Sequence, residues 1–175
     1  MLTPKIDQIY QEKDGYYVYL GEGRRYFFRN KQIAKEFLTK VGHFYKEKLF
    51  VLNEKYAEIY AMYRNYYMVW KKSLEKNTLT EKFRAYQEQF DLIFKMVGPN
   101  KDVFITRKIE YLYQELFIIL EAINSKAHER GDTPFIYKVK AHKRVLEVEY
   151  ESFYDLMQLI EQGANYEEIR ELLIA

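Results

Sequence analysis

The longest apolar stripe in the chain sets the terms on which it can fold. It runs from Asn30 to about Lys76, and its second half, Leu52 to Trp70, is the strictest part. Leu52, Tyr56, Ile59, Tyr63, Tyr66 and Trp70 alternate spacings of four and three, the heptad seam that keeps one side of a helix against a partner helix. Tyr60, Met62, Tyr67 and Val69 flank the seam, so the helix is apolar over most of its circumference. Glu54, Glu58, Arg64, Asn65, Lys71 and Lys72 hold only a narrow polar strip. A helix apolar nearly all round is either buried on several sides or lends one side to another molecule. No proline interrupts the run, and Gly42 is the expected place for a kink. Unbroken, such a helix would be about 70 Å long at about 1.5 Å per residue, which predicts a break near Gly42 or an elongated molecule.

Two further segments repeat the pattern. Thr78-Leu79-Thr80-Glu81 reads as a capping box with Thr78 as N-cap. Behind it Leu79, Phe83, Tyr86, Phe90, Ile93 and Val97 form a second seam, stopped by Gly98-Pro99. Asn100 or Asp102 then caps a third helix whose seam is Ile105, Ile109, Leu112, Leu116, Ile119 and Ile123, broadened by Tyr113, Phe117 and Leu120. Gly131 is its expected stop. Matching heptads with short connections predict an antiparallel bundle at shallow crossing angles.

The ends of the chain read differently. Residues 5–28 suit a three-stranded meander: Ile6–Gln11, a turn at Asp14-Gly15, Tyr16–Leu20, a turn at Gly21-Glu22-Gly23, and Arg24–Phe28, with Asn30 as N-cap of the long helix. Three strands need a helix on one face. Over residues 135–150 the period switches to two. Tyr137, Val139 and Ala141 alternate with Lys138 and Lys140, and Leu146, Val148 and Tyr150 alternate with Glu147 and Glu149. A hairpin about Lys143-Arg144 then sets Lys opposite Glu. Ser152 to Asp155 would cap a short helix ending at Gly163, and Asn165 to Glu168 a last one.

The expected fold is therefore an α-dominated α+β single domain, with no repeat or linker. It comprises the β-meander (1–29), an elongated antiparallel three-helix bundle (30–131), and a C-terminal β-hairpin plus two short helices (132–175).

A chain of 175 residues with 48% hydrophobic and 31% charged residues has material for one core and is not expected to be disordered. No cysteine is present, which excludes disulfides and thiolate metal sites. The start, Met1 to Lys5, leads into a polar segment, so no secretory signal is expected, and no apolar run reaches the length of a membrane span. The expected location is cytoplasmic, or the virion if the chain is of phage origin. The abundance of Tyr, Phe, Lys and Ile with little Ala is a composition associated with AT-rich genomes, those of phages and mobile elements among them.

The net charge of +2 conceals an asymmetry. Residues 1–76 carry 15 basic against 9 acidic side chains, and residues 132–175 carry 5 against 9. Such a division can steer partners.

Catalytic motifs are missing. There is no nucleophile elbow and no phosphate-binding loop, and His43, His128 and His142 stand on different predicted elements. His43 and Glu47 have an i, i+4 spacing that could offer two metal ligands, yet the inward carboxylates of a bundle metal site are missing. The expectation is a non-enzyme with no metal, cofactor or small-molecule substrate.

With 18 tyrosines and 12 phenylalanines against one tryptophan, the aromatic content points to a half-buried, Tyr-rich surface. The first functional reading is a protein-interaction or assembly protein that binds a partner or itself, with Tyr60, Met62 and Tyr67 as anchors. The alternative is a nucleic-acid-binding module on the N-terminal sheet, where Arg24, Arg25, Arg29, Lys31 and Lys35 would meet phosphates and Tyr17, Tyr19 and Tyr26 would stack on bases. Three strands followed by a helix is a topology similar, over about 35 residues and without a shared motif, to the arm-type DNA-binding domains of mobile-element integrases.

Overall fold

The computed structural model describes residues 9–20, 24–70, 78–96, 106–161 and 166–173; the side chains of residues 20, 24, 66–70, 78, 96 and 161 lie outside the description. The chain is mostly helical with one small antiparallel sheet. The elements run β1 (Ile9–Glu12), β2 (Gly15–Leu20), β3 (Arg24–Phe28), α1 (Lys31–Trp70), α2 (Thr78–Met96), α3 (Thr106–Glu129), α4 (Thr133–Glu161) and α5 (Tyr166–Ile169).

The three-stranded meander forms in the expected order β1-β2-β3, with β1 at Ile9–Glu12; residues 6–8 of the expected first strand and the turn expected at Gly21-Glu22-Gly23 lie outside the described residues. Glu12 pairs with Gly15, so the tight turn is Lys13-Asp14, one residue earlier than the Asp-Gly signal suggests. Gly15 begins β2 instead, at φ +155°, with the ring of Phe27 and the carbonyl of Phe28 against it. The pairings Val18–Tyr26 and Tyr16–Phe28 place one apolar set on the inner face. There Tyr26 and Phe28 pack on Phe37 of α1, ring centroids 4.8 and 5.2 Å away. Burial pushes the Tyr26 phenol up to about 12.

Asn30 caps α1 through its side chain, accepting from the Gln32 amide at 2.7 Å. The helix then runs 40 residues without a break, Gly42 included, so of the two expected outcomes the break near Gly42 does not occur. At about 1.5 Å per residue it is about 60 Å long. Leu52, Ile59 and Tyr63 of its seam are buried, and so are Leu79, Phe83, Tyr86, Phe90 and Ile93 of α2. Tyr56 stacks on Tyr86 at 4.7 Å and donates to the Phe83 carbonyl, while the Tyr63 and Thr80 hydroxyls meet at 2.8 Å. Rising numbers on α1 thus meet falling numbers on α2, which makes the pair antiparallel. The α3 seam is buried from Ile109 to Ile123. The capping residues proposed at Asn100, Asp102 and Asn165 lie outside the described residues.

Three residues, Arg130 to Asp132, join α3 to α4. Gly131 takes φ +64°, its amide donates to His128 O, and the Asp132 amide donates to Ala127 O, the paired bonds of a Schellman stop. Asp132 at once becomes the N-cap of α4, its carboxylate accepting from the Phe135 amide.

The hairpin expected over 135–150 is absent, because these residues belong to α4, which continues through Ser152 and Asp155 to Glu161. A helical period underlies the alternation. Phe135, Ile136, Val139, Leu146, Phe153, Met157 and Ile160 are buried, whereas Tyr137 is 67% and Val148 50% exposed. The Lys–Glu complementarity is realised between helices, where Lys143 pairs with Glu121 of α3. Tyr150 donates to Glu110 and packs on Tyr113, so α3 and α4 are also antiparallel. The bundle therefore has four long helices, and α5 packs Tyr166 edge-on against Phe37.

The two glycines make a contrasting pair of tests. A Cβ on Gly15 would lie 2.6 Å from a Phe27 ring carbon and 2.7 Å from the Phe28 oxygen, whereas one on Gly131 meets nothing within 4 Å. Gly131→Ala should cost only the left-handed backbone penalty of about 1 kcal/mol. Gly15→Ala should cost about 1–3 kcal/mol by displacing β3. Thermal melts by circular dichroism check the order, with each kcal/mol worth about 2–4 °C.

Candidate interaction site

A concavity lies between α1 and α4. His43, Phe44, Lys46, Glu47, Lys48, Phe50 and Val51 form one wall, Ser152, Asp155, Leu156 and Leu159 the other, and Leu172 joins them from the chain's end, around a volume of about 850 Å³. The helices are held here by aromatic packing below the groove, where Phe44 stacks on Phe153 at 6.1 Å and Tyr45 meets the same ring at 6.2 Å. Above that layer α1 and α4 present apolar side chains to solvent. Phe50 is 61% exposed, and Leu159 and Leu172 are exposed as well. The rim carries both signs of charge: the His43–Glu47 pair at 3.0 Å, Lys46, Lys48 and Asp155. An apolar floor with a charged rim is the composition of a site for a helix or an apolar chain.

Along the outer side of α4 the apolar surface continues. Tyr137, Val145 and Val148 are exposed and share that side with Ala141, Ser152 and Asp155. Such contiguous exposure marks an interaction surface more often than scattered single residues do.

The anchors proposed from sequence fall elsewhere. Tyr60 is 38% exposed but stacks on Tyr56 and meets Phe83 edge-on at 5.1 Å, so it already has partners in the fold. Met62 is half-buried against the core, and the Tyr67 side chain lies outside the described residues. No window of sequence displays the groove, because its walls are about a hundred residues apart and its α4 wall, read alone, resembles the start of a short separate helix.

The sheet divides the second set of candidates between two faces. Tyr26 lies on the inner face, packed on Phe37. Tyr17 and Tyr19 lie on the outer face with Phe27 and Arg25, and Arg25 stacks over the Tyr17 ring at 3.9 Å while pairing with Glu12 at 3.5 Å. Hydrogen bonding to Tyr19 raises the Arg25 pKa further. Tyr17 donates to Asp14 at 2.8 Å and is only 7% exposed, whereas Phe27 stands out from the same face. Arg29, Lys31 and Lys35 are exposed where β3 turns into α1; the Arg24 side chain lies outside the described residues.

His142 is half-buried with its Nδ1 3.8 Å from Glu58, and burial, aided by Lys55, lowers its pKa. Among the described residues no group of three or more His, Cys, Asp or Glu side chains lies together, and no helix is long and apolar enough to cross a membrane. Comparison with protein-family models, with curated proteins and with solved structures returned no match.

Because the exposed groove residues, Phe50, Leu159 and Leu172, lie outside the buried core, their removal should leave the fold intact. Phe50→Ser is expected to shift the melting temperature by no more than about 2 °C, the usual range for a surface change. Phe44→Ser, which empties a buried position beneath the groove, should cost roughly 3–5 kcal/mol and lower the melt by about 10 °C. Parallel melts of the two variants check this.

Proposed function

We propose that this chain is a non-enzymatic protein-interaction or assembly protein. The elongated helical bundle serves as a rigid scaffold, and one face of it takes an amphipathic helix from another polypeptide. That helix lies along the outer side of α4 with apolar side chains reaching the groove beside α1. The supporting observation is the exposed apolar surface running from Tyr137, Val145 and Val148 to Leu159, Leu172 and Phe50. Covering it would return about 25 cal/mol for each Å² of apolar area removed from water, and Phe50 and Tyr137 are the aromatic anchors on which such an interface would centre. The Tyr-, Phe-, Lys- and Ile-rich composition supports placing the chain as a structural or adaptor component of a phage or mobile element, in the cytoplasm or the virion.

Side-by-side affinity capture, with self-association measured in parallel, tests the reading. The expected result is a protein, or a second copy, that is bound by the native chain and lost at least tenfold with Phe50→Asp or Val148→Asp while the melting temperature holds. Identical binding by native and variant proteins would overturn it.

The second reading, binding of single-stranded nucleic acid, draws support from the outer sheet face. Phe27 and Tyr19 there could stack on bases beside the cations Arg25, Arg29, Lys31 and Lys35. Anisotropy titrations of labelled single strands over a salt series should give a linear log–log decline, flattened by about two to three phosphate contacts in the Arg29→Ala/Lys31→Ala/Lys35→Ala variant. No binding at low salt would remove this reading.

A further inference from the structure

The outer side of α4 carries a second heptad that the core does not use. Ala141, Val145, Val148, Ser152, Asp155 and Leu159 alternate spacings of four and three, and all six are exposed; Val145 is 44% and Val148 50% accessible. Buried Leu146 and Phe153 belong to the opposite side of the same helix. A seam of small and branched residues lets two helices approach closely.

The charges along α4 are sorted by sign. Its first half holds Lys138, Lys140, Lys143 and Arg144, and its second half holds Glu147, Glu149, Glu151, Asp155 and Glu161. Lys143 is engaged with Glu121 of α3. Arg144 pairs with Glu147 one turn on at 3.7 Å but is largely exposed, and Lys138, Glu151 and Asp155 are exposed with it beside or within the seam. A parallel copy of α4 would set like charges side by side. An antiparallel copy sets basic half against acidic half, so the charge order specifies both partner and direction.

We propose that the helix taken up by this face is α4 of a second copy of the chain, packed antiparallel about a two-fold axis passing between Val145 and Val148. This rests on the interaction reading above and names its partner. Val145 of each copy then meets Val148 of the other, and Ala141 meets Ser152. Lys138 comes opposite Asp155, and Arg144 lies along the same flank as Glu151 of the second copy. Each contact occurs twice, as an isologous interface requires. The same alignment brings the exposed Tyr137 of one copy level with Leu156 of the other, at the groove. The seam is narrow and only partly apolar, so the dimer is weak, with a dissociation constant on the order of micromolar, as for small transient interfaces.

Sedimentation equilibrium over a concentration series tests it, using the native chain, Val148→Asp, Arg144→Glu, Glu151→Arg and the double exchange Arg144→Glu/Glu151→Arg. The native chain should dimerise. Val148→Asp and each single charge reversal should weaken the dimer at least tenfold, and the double exchange should recover it to within about threefold. All the substituted positions are exposed, and circular dichroism melts verify that the variants are folded. The chain has no cysteine of its own, so mixing Val145→Cys with Val148→Cys protein gives a second readout, in which the mixed disulfide should form faster than either like pair. A native chain that stays monomeric, or single reversals without effect, or a double exchange that fails to recover association, would overturn the proposal. If the native chain is monomeric yet captures a different protein in a Phe50- and Val148-dependent way, the second copy is wrong and the interaction reading stands. If neither association occurs, both fall.

Discussion

The fold depends on apolar cover for α1 from its start to Tyr63. A helix with Phe37, Tyr45, Leu49, Leu52 and Ile59 fully buried cannot persist alone in water. The cover changes along the axis. The sheet supplies it at the start through Tyr26 and Phe28, α4 in the middle through Phe153, and α2 towards the end through Phe83 and Tyr86. Each buried ring removes enough apolar area to contribute about 2–3 kcal/mol, and the ring pairs add about 0.5–1.5 kcal/mol each. α3 completes the cover and packs in turn on α2 and α4, so the four long helices share one core, and the sheet joins it chiefly at α1.

The choice of tyrosine over leucine at so many seam positions has a physical consequence. A tyrosine fills a core slot with its ring and carries a hydroxyl to the edge of the helix it packs against. Tyr56 reaches the Phe83 carbonyl, Tyr150 reaches Glu110, and Tyr26 reaches the Leu159 carbonyl at 3.4 Å. These bonds are directional where apolar packing is not, so they fix how far each helix slides along its neighbour. Tyr86 and Tyr113 are different, because their buried hydroxyls find no hydrogen-bond partner among the described residues. Burial drives both phenols well above their ordinary pKa, which keeps them neutral. Their rings offset the cost, Tyr86 stacked on Tyr56 and Tyr113 tilted onto Phe153 at 5.5 Å.

Local signals were legible wherever one backbone group or one face decided the outcome. Asn30, Gly131 and the alternating strands near the start all do what their chemistry implies, and the seams of α2 and α3 are buried residue for residue where described. The misreadings share a cause. A period of two at Tyr137, Val139 and Ala141 coincides with a helical period at Ile136, Val139 and Leu146, and only the location of the core decides between them. Lys143-Arg144 lacked any turn chemistry, and that absence of Gly or Asn was the local sign against a hairpin. Gly42 is similar, for a glycine costs a helix about 1 kcal/mol, too little to break one held on several sides. The groove needed α1 and α4 to be brought together, which no window of sequence displays.

Three of the residues that imitated a strand, Tyr137, Ala141 and Val148, are left exposed on α4, and Val145 stands with them. For the fold alone, Val145, Val148 and Tyr137 could as well be polar, since Leu146, Phe153 and Ile160 already fill the interface with α1 and α3. Keeping them in water forgoes about 25 cal/mol for each Å² of apolar surface they expose, and recovering that stabilisation requires something to cover them. A cover that also sets the basic first half of α4 against an acidic segment gains in direction what the narrow stripe lacks in area. α4 has both an exposed stripe of that length and an acidic half to offer, which is the basis of the antiparallel pairing proposed above.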